Sequence, residues 1–511
     1  MLDLRIMLGK TMLMGLTLLG SGTAPRAAAA TDAEMARSLL AASRGVSPLV
    51  CGLAARTLEN RYGRWNRSEP PMAAGQETAL NWALNARPAA TAVPVLVDGL
   101  ADTDACVRSI ATRVLSHSEA PSAVAGLLGA LAATTPETRT AAAIGLGLAS
   151  AGTAVDPLIH RLADVAVDVR SAAAWALGGL DQMRAAAPLR HSLSDAAPGV
   201  RASAASALGR LEDSSAVEAL SRLLRSDPDD GVRLAAAEAL GQLESKAAVP
   251  ALSAALKDKS ADVRRTSAWA LGQIEATESA DALGGALSDA DTSVRKMATW
   301  ALGQLQVKST VPLLARRLRE DDDADVRRMA AWALGQIEDR STAEPLQAAL
   351  KADHDDEVRK MSAWALGQLG DRSAAPGLSA ALRDSSSEVR EMAAWALGNS
   401  DLHEAPAELL MALADQDAEV RRKAAWATGQ IGDAAAVPGL KGMLHAADGE
   451  SRHMAMWALG QIDGPAAHDA LLDALKSDDA GVRGSAARAL GHGNVNPMPM
   501  PMPMPMPMPF P

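Results

Sequence analysis

A recurring Val-Arg pair constrains this chain more than any other feature of its sequence. The pair returns every 31 or 32 residues, and self-similarity at such a period indicates an array of small repeats rather than several globular domains. Both residues are present at Val107–Arg108, Val169–Arg170, Val200–Arg201, Val232–Arg233, Val263–Arg264, Val294–Arg295, Val326–Arg327, Val358–Arg359, Val389–Arg390, Val420–Arg421 and Val482–Arg483. Thr138–Arg139 and Ser451–Arg452 fill the two gaps. The sequence therefore predicts about thirteen units, each with an arginine at the same position.

Each unit has the pattern of two helices. The first begins with proline and continues with spaced leucines, as in residues 249–256, because proline is tolerated in a first helical turn. An Asp-rich turn follows, whose side chains can cap the next helix. In that second helix Val263, Ser267 and Leu271 fall on one face, and small residues there let neighbouring helices approach closely. With one Phe and one Tyr among 48% hydrophobic residues, the composition also favours an all-α fold.

This two-helix pattern resembles the HEAT-repeat family, in particular its short bacterial repeats of the phycobilisome-lyase type, over roughly residues 91–492. The resemblance implies a right-handed α-solenoid of about thirteen two-helix repeats, with first helices on the convex side and second helices on the concave side. It also implies a structural ladder between turn aspartates and helix arginines of adjacent repeats. For this chain we expect Asp262 to pair with Arg264 or a neighbouring residue.

The remaining segments predict the domain organisation. Residues 1–30 have the pattern of a signal peptide, and residues 31–90 are predicted to form an N-terminal helical cap with a degenerate repeat at 76–85 and helices at 32–42 and 49–62. Residues 493–511 form a low-complexity tail that alternates proline and methionine, which precludes a helix or a paired strand. We interpret the tail as a leftover rather than as a ligand for another domain.

The first 30 residues predict export. Arg5 and Lys10 precede an apolar run from Thr11 to Gly20, and small residues end the segment before Thr31, as in secretory signals. We therefore expect a periplasmic or secreted bacterial protein. The alternative is a membrane anchor formed by residues 6–20 and left uncleaved. The two cysteines, Cys51 and Cys106, either pair or are separately buried, and the sequence leaves both possibilities open.

Tryptophan gives the main functional signal. Seven consecutive units carry it six residues after the Val position, at Trp269, Trp300, Trp332, Trp364, Trp395, Trp426 and Trp457. Four residues earlier stand cations, at Arg265, Lys296, Arg328, Lys360 and Arg422. Four residues later stand amides, at Gln273, Gln304, Gln336, Gln368, Asn399, Gln430 and Gln461. A spacing of four places each set on adjacent turns of one helix face, and the Trp position lies roughly 130° from the centre of the core face on a helical wheel.

Two interpretations of this row stay open. If the indoles line the concave surface, they offer walls for side chains while the amides bond to the backbone of an extended peptide. The row then resembles the Trp-x-x-x-Asn ladder of armadillo proteins such as the importin alpha family, with glutamine mostly in place of asparagine and with cations that favour an acidic partner. Alternatively, the indoles pack between repeats and stabilise the array.

Other functions find less support. A net charge of −11 disfavours binding of nucleic acid. Deoxyhypusine hydroxylase, an enzyme built from related repeats, holds two irons with His-Glu pairs beside the repeat arginine, and here only His453 stands in phase. We predict no catalytic, cofactor or metal residues. The sequence thus favours a non-catalytic scaffold that binds a protein or peptide, and no membrane unless the leader is uncleaved. The alternatives are an accessory lyase or other enzyme of the HEAT class, or the sensor arm of a membrane-anchored system.

Overall fold

The computed structural model describes residues 31–47, 51 and 88–491. All regular elements in these ranges are helices, and none of these helices is long and apolar enough to cross a membrane. The predicted leader at 1–30, most of the helix predicted at 49–62, the degenerate repeat at 76–85 and the tail at 493–511 lie outside the described residues. By their contacts the residues divide into two units, 1–251 and 252–511, which are taken in turn.

The described residues of the first unit include one N-terminal helix and five two-helix repeats. Helix α1 (Asp32–Ser43) is followed by first helices α2 (Val93–Gly99), α4 (Pro121–Ala130), α6 (Val155–Arg161), α8 (Ala186–Ser192) and α10 (Val217–Ser226). These alternate with second helices α3 (Ala105–Ser116), α5 (Pro136–Leu148), α7 (Val167–Gly178), α9 (Pro198–Arg210) and α11 (Asp230–Gln242). The boundary between the units falls within α12 (Val249–Ala255).

The second unit continues the same alternation. Its second helices are α13 (Ala261–Gln273), α15 (Thr292–Leu305), α17 (Ala324–Gln336), α19 (Asp356–Leu369), α21 (Ser387–Asn399), α23 (Ala418–Ile431), α25 (Gly449–Gln461) and α27 (Ala480–Gly491). Its first helices are α14 (Ala280–Ala286), α16 (Val311–Glu320), α18 (Ala343–Ala352), α20 (Ala375–Ala381), α22 (Ala407–Ala412), α24 (Val437–Met443) and α26 (Pro465–Ala474). In sequence order α2 to α27 form thirteen helix pairs, which confirms the predicted repeat number and the all-α class.

Helix boundaries follow the residues that predicted them. Thr31 caps α1 through a capping box with Glu34, and α1 confirms the helix expected at 32–42. Aspartate side chains accept backbone N–H bonds at the start of several second helices, as predicted, at Asp104, Asp229, Asp291, Asp323, Asp355, Asp417 and Asp448. Short 3₁₀ turns precede many first helices, for example Lys308–Thr310 and Arg340–Thr342.

The core of each unit consists of small and aliphatic side chains of the second helices. Val263, Ser267, Ala270 and Leu271 have no solvent exposure, which confirms the predicted core face. Within each unit successive second helices pack directly on one another, α7 on α9 and α9 on α11 in the first unit and α13 on α15 through α25 on α27 in the second. Because alanine and glycine dominate these contacts, the helix backbones approach closely.

The repeat arginine links each turn to the next repeat. Arg327 donates from Nε to one carboxylate oxygen of Asp353 at 2.8 Å and from a terminal nitrogen to the other at 3.0 Å, while its remaining nitrogen donates to the carbonyl of Asp321. Equivalent two-bond pairs are Arg139–Asp164, Arg170–Asp195 and Arg201–Asp227 in the first unit and Arg264–Asp289, Arg295–Asp321, Arg359–Asp384 and Arg390–Asp415 in the second. The predicted ladder between adjacent repeats is confirmed.

Asp262 pairs with a neighbour of Arg264, as expected, but this pair lies within one helix and is not part of the ladder. That carboxylate lies 3.3 Å from Arg265 of its own helix, whereas Arg264 reaches Asp289 in the following turn at 2.6 Å. Arg264 also donates to the carbonyls of Asp258 and Lys259 in the turn before its own helix, so its guanidinium lies between that turn and the turn of the next repeat, which contains Asp289.

Hydrogen bonds of the ladder shift the aspartate pKa values. The Arg139 guanidinium donates to Asp164 and holds the pKa of that carboxyl below its usual range, and Arg170 does the same to the pKa of Asp195. For Asp353 burial opposes the charged form, but the bonds from Arg327 outweigh it, so its pKa is also lowered. The charged forms of these aspartates are therefore part of the folded state.

Candidate functional site

The tryptophan row of the second unit lies mostly out of solvent. Trp300, Trp332, Trp364, Trp395 and Trp426 are 3%, 7%, 8%, 5% and 7% exposed, and Trp269 and Trp457 are half-buried. The expectation that the indoles line an open surface therefore differs from the structure for the five central positions. Ligand binding by the row as a whole stays a prediction, but these five rings do not form its walls.

Each buried ring occupies a gap left by a glycine of the preceding repeat. This glycine follows the Val position by nine residues, and a Cβ added to it would lie only 2.5–3.1 Å from ring carbon Cζ3 of the next tryptophan. The pairs are Gly272–Trp300, Gly303–Trp332, Gly335–Trp364, Gly367–Trp395, Gly398–Trp426 and Gly429–Trp457. The indoles thus fill the seam between successive second helices. We call this row of six contacts the glycine–indole seam.

The sequence contains a pattern that predicts this seam, but a helical wheel of one helix does not show it. A wheel gives the direction of a side chain from one isolated helix, and it places the indole away from the core face. In a stack of helices the flank of one helix is covered by its neighbour. The recurrence of glycine three residues after each of these tryptophans is the pattern that points to a close ring contact.

The cations of the row take part in a second ladder. Lys296 lies 3.3 Å from Asp325 of the next repeat, and Arg328 lies 2.6 Å from Asp325 and 3.9 Å from Glu357. Lys360 bonds to Glu357 and Glu388, Arg422 to Glu419, Asp448 and Glu450, and Arg265 to Asp262. All five predicted cations therefore have a carboxylate partner, and most of the pairs join one second helix to the next.

This pairing changes the electrostatics expected of the row. Burial of Lys360 opposes its charged form, but its bonds to Glu388 and Glu357 outweigh that effect and raise the pKa of the ammonium group. The side chain of Arg422 is 14% exposed, whereas that of its partner Glu450 is 80% exposed. A ligand that approaches these positions meets cations that already have carboxylate partners, and the expected preference for an acidic segment stays a prediction.

The amides are the row members that remain most accessible. Gln368, Asn399 and Gln430 are exposed, whereas the other amides, Gln273, Gln304, Gln336 and Gln461, are half-buried. Asn399 donates from Nδ2 to the carbonyl of Trp395 at 3.0 Å, which leaves its amide oxygen free to accept. An exposed amide can both donate to and accept from a peptide backbone.

The described residues show little that indicates other chemistry. Among residues 31–47, 51 and 88–491, no group of three or more His, Cys, Asp or Glu side chains is arranged to hold a metal ion. Cys51 and Cys106, whose alternatives the sequence left open, form a disulfide with their Cα atoms 5.7 Å apart.

Comparison with known proteins establishes the family. Residues 155–241, 223–292, 281–366, 343–420 and 406–491 match the family described as HEAT repeats. The chain belongs to the HEAT-repeat family. No curated protein matches the chain.

Two solved structures are similar to the chain. A crystal structure of importin beta is 16% identical, with a TM-score of 0.51, and the match covers 78% of this chain and 66% of that one, which shows the shared fold. The complex of CpcE and CpcF of phycocyanin lyase from Nostoc sp. PCC7120 is 26% identical over 47% of this chain and 91% of that one, with a TM-score of 0.29. HEAT-repeat solenoids are typical protein-interaction scaffolds, because stacked repeats create extended surfaces.

Proposed function

We propose that this HEAT-repeat protein is a non-catalytic scaffold that binds an extended segment of a partner protein along the second helices α13 to α25. One observation carries the proposal: seven successive second helices place the same kinds of side chain at the same helical positions. A surface that repeats in register with the helices matches a ligand whose backbone repeats its own hydrogen-bonding groups.

The contacts of the row assign different roles to its residues. The glycine–indole seam fixes the spacing of neighbouring second helices, and the ion pairs that begin at Lys296, Lys360 and Arg422 hold the exposed ends of these helices in place. The amides then provide the direct contacts, with Gln368, Asn399 and Gln430 as the most accessible. In this arrangement the tryptophans support the binding surface from below.

The experiment compares two full-length variants that each lose three amides. One replaces Gln368, Asn399 and Gln430 by alanine. The matched control replaces three amides outside the row, Gln182, Gln347 and Gln416, by alanine. Partners captured by the wild-type protein from extracts of its source are identified, and the affinity of each variant for the purified partner is measured by titration calorimetry.

We expect the row variant to bind at least tenfold more weakly, which corresponds to roughly one backbone hydrogen bond of about 1.4 kcal/mol or more. The control variant should keep its affinity, and both should melt like the wild type. Equal affinity of the row variant and the wild type would contradict the proposed surface.

We further propose that the protein is exported, with cleavage before Thr31. Two features support this. Disulfides such as Cys51–Cys106 persist in oxidising compartments. Thr31 is also the N-cap of α1, and its backbone N–H donates to Glu34 at 2.8 Å, so a chain that starts there keeps its first helix capped. N-terminal sequencing of the mature protein should begin at Thr31, and a start within residues 1–6 would instead identify an uncleaved anchor.

A further inference from the structure

The N-terminal end of the repeat array is covered by α1. Leu39 and Leu40 of this helix are 3% and 8% exposed, and a Cβ added to Gly99 of α2 would lie 2.8 Å from a methyl group of Leu40. An array of stacked repeats exposes at each end the apolar face that internal repeats bury against their neighbours. Helix α1 covers that face at the start of the array.

The last repeat has no such cover among the described residues. Leu475 follows α26 directly and is 36% exposed. The leucine at the same position after other first helices is buried, with exposures of 2% for Leu287, 5% for Leu382 and 3% for Leu413. A Cβ added to Gly439 of α24 would lie 2.6 Å from a methyl group of Leu413, so it is the following first helix that covers this leucine.

The last second helix also ends in an unfilled seam position. Gly491 of α27 is nine residues after Val482 and is therefore the counterpart of the glycines that receive an indole. No described atom lies within 4 Å of a Cβ added to Gly491. On the first helix of the same repeat, Leu472 is 41% exposed. The end of the array thus combines two exposed leucines with an empty position for a ring.

We propose that residues 492–511 fold back over this end and cover Leu472, Leu475 and Gly491. The segment starts at the residue after α27, so it is anchored beside the exposed face. It contains six methionines, one phenylalanine and no charged residue. Its twenty residues span up to about 60 Å in an extended polyproline conformation, several times the 8–10 Å between packed helices.

The chemistry of the segment suits this role. Methionine fills irregular apolar gaps because its side chain is unbranched and flexible. Proline has no backbone N–H that would lose its hydrogen bond on burial. Phe510, the one phenylalanine of the chain, is the side chain that matches the empty ring position at Gly491. A second copy of the chain fits less well, because two leucines and a glycine offer far less area than the roughly 1,200 Å² of a stable interface.

The test measures hydrogen exchange of α26 and α27 in the full-length protein and in a full-length variant with serine at the six tail methionines and at Phe510. If the tail covers the end, the amides of both helices should exchange at least about fivefold faster in the variant, since local protection follows local burial. A Leu313→Ser control removes a leucine of similar exposure on α16 and should leave α26 and α27 unchanged.

A second variant separates the tail from other causes. In a Leu475→Asp background the tail substitutions should have no further effect, because the covered surface is already lost. Equal exchange rates with and without the tail side chains, or an effect that persists fully in that background, would overturn the proposal. Protection that rises with protein concentration would overturn it as well, since the cover would then be another copy of the chain.

Discussion

The repeats of residues 88–251 and those of residues 252–491 use the same arginine–aspartate ladder but fill the seam between second helices differently. In the second unit six successive seam positions hold an indole against a glycine. In the first unit Gly147 meets a tryptophan, Trp175, but two other seam glycines have different neighbours. At Gly178 the neighbours are Ala207 and Arg210, and at Gly209 they are Ala239 and Gln242.

The first unit shows what replaces an indole. The Arg210 guanidinium carbon lies 6.0 Å from the centroid of the Trp175 ring, and the same side chain donates to the carbonyl of Trp175 at 3.2 Å. Desolvation of the guanidinium by the side chains around it lowers the pKa of Arg210. Long polar side chains thus cover the seam where no tryptophan follows. Both units therefore share the ladder and the close approach of helices at glycine, whereas an unbroken run of indoles in the seam is found in the second unit.

The shared ladder gives the largest expected effect, because acid acts on every pair at once. The aspartates have a lower pKa in the folded chain than the ordinary 3.8, and that of Asp448, held mainly by Ser451, falls to about 2. The unfolded chain therefore binds more protons as pH falls, so this stabilisation is complete above about pH 5 and is lost as pH falls through the folded pKa values.

Hydrogen exchange followed from pH 7 to pH 2.5 should show both units losing protection below about pH 4. Loss of protection in one unit while the other stays protected would contradict a shared ladder, since it would mean that the ladder stabilises only one of them.

Removal of a seam indole should be the most destabilising single substitution. We expect Trp395→Ala to lower the free energy of unfolding of the surrounding repeats by about 3–5 kcal/mol, because it leaves a cavity against Gly367. The matched change Trp175→Ala should cost less, since Trp175 is half-buried and Arg210 can relax into the space. Local hydrogen exchange measures both, as arrays of repeats need not unfold in one step. A smaller loss for Trp395→Ala than for Trp175→Ala would contradict the assigned difference.

Replacement of one ladder arginine should lower the free energy of unfolding somewhat less than Trp395→Ala does. The loss should be the same in both units. Replacement of Arg201 or of Arg327 by methionine removes two hydrogen bonds to an aspartate. Because the bonds join charged groups, we expect each variant to lose about 2–3 kcal/mol of unfolding free energy. Urea titrations monitored by local exchange should give equal losses for the two variants. A loss of stability in the Arg327 variant alone would show that the ladder does not stabilise both units.

The smallest effect concerns the position twelve residues after the repeat valine, just beyond the second helix. Glu212 in the first unit and Glu338 in the second have positive φ angles of 53° and 49°, whereas Gly370 fills the same position with φ of 61°. Glu→Gly at either glutamate should stabilise by less than about 1 kcal/mol, because relief of left-handed strain is partly offset by greater freedom of the unfolded chain. Thermal melting of both variants shows whether the substitution raises or lowers stability. A marked loss of stability at either site would mean that the glutamate side chain makes a stabilising contact.

The arginine ladder was expected from the resemblance to HEAT repeats, whereas the repeat number, the helix pairs and the core face could be predicted from the sequence alone. These follow from periodicity and from residues that act on their own helix, such as Asp323 at a helix start or Leu271 on the core face. The packing of the repeats determines which aspartate each arginine meets and where the indoles lie. Both depend on the neighbouring repeat: Arg264 reaches Asp289, 25 residues away, and Trp395 fits the gap at Gly367. The periodicity of a helix can be read from its own residues, but its contacts also depend on the shape of the neighbouring helix.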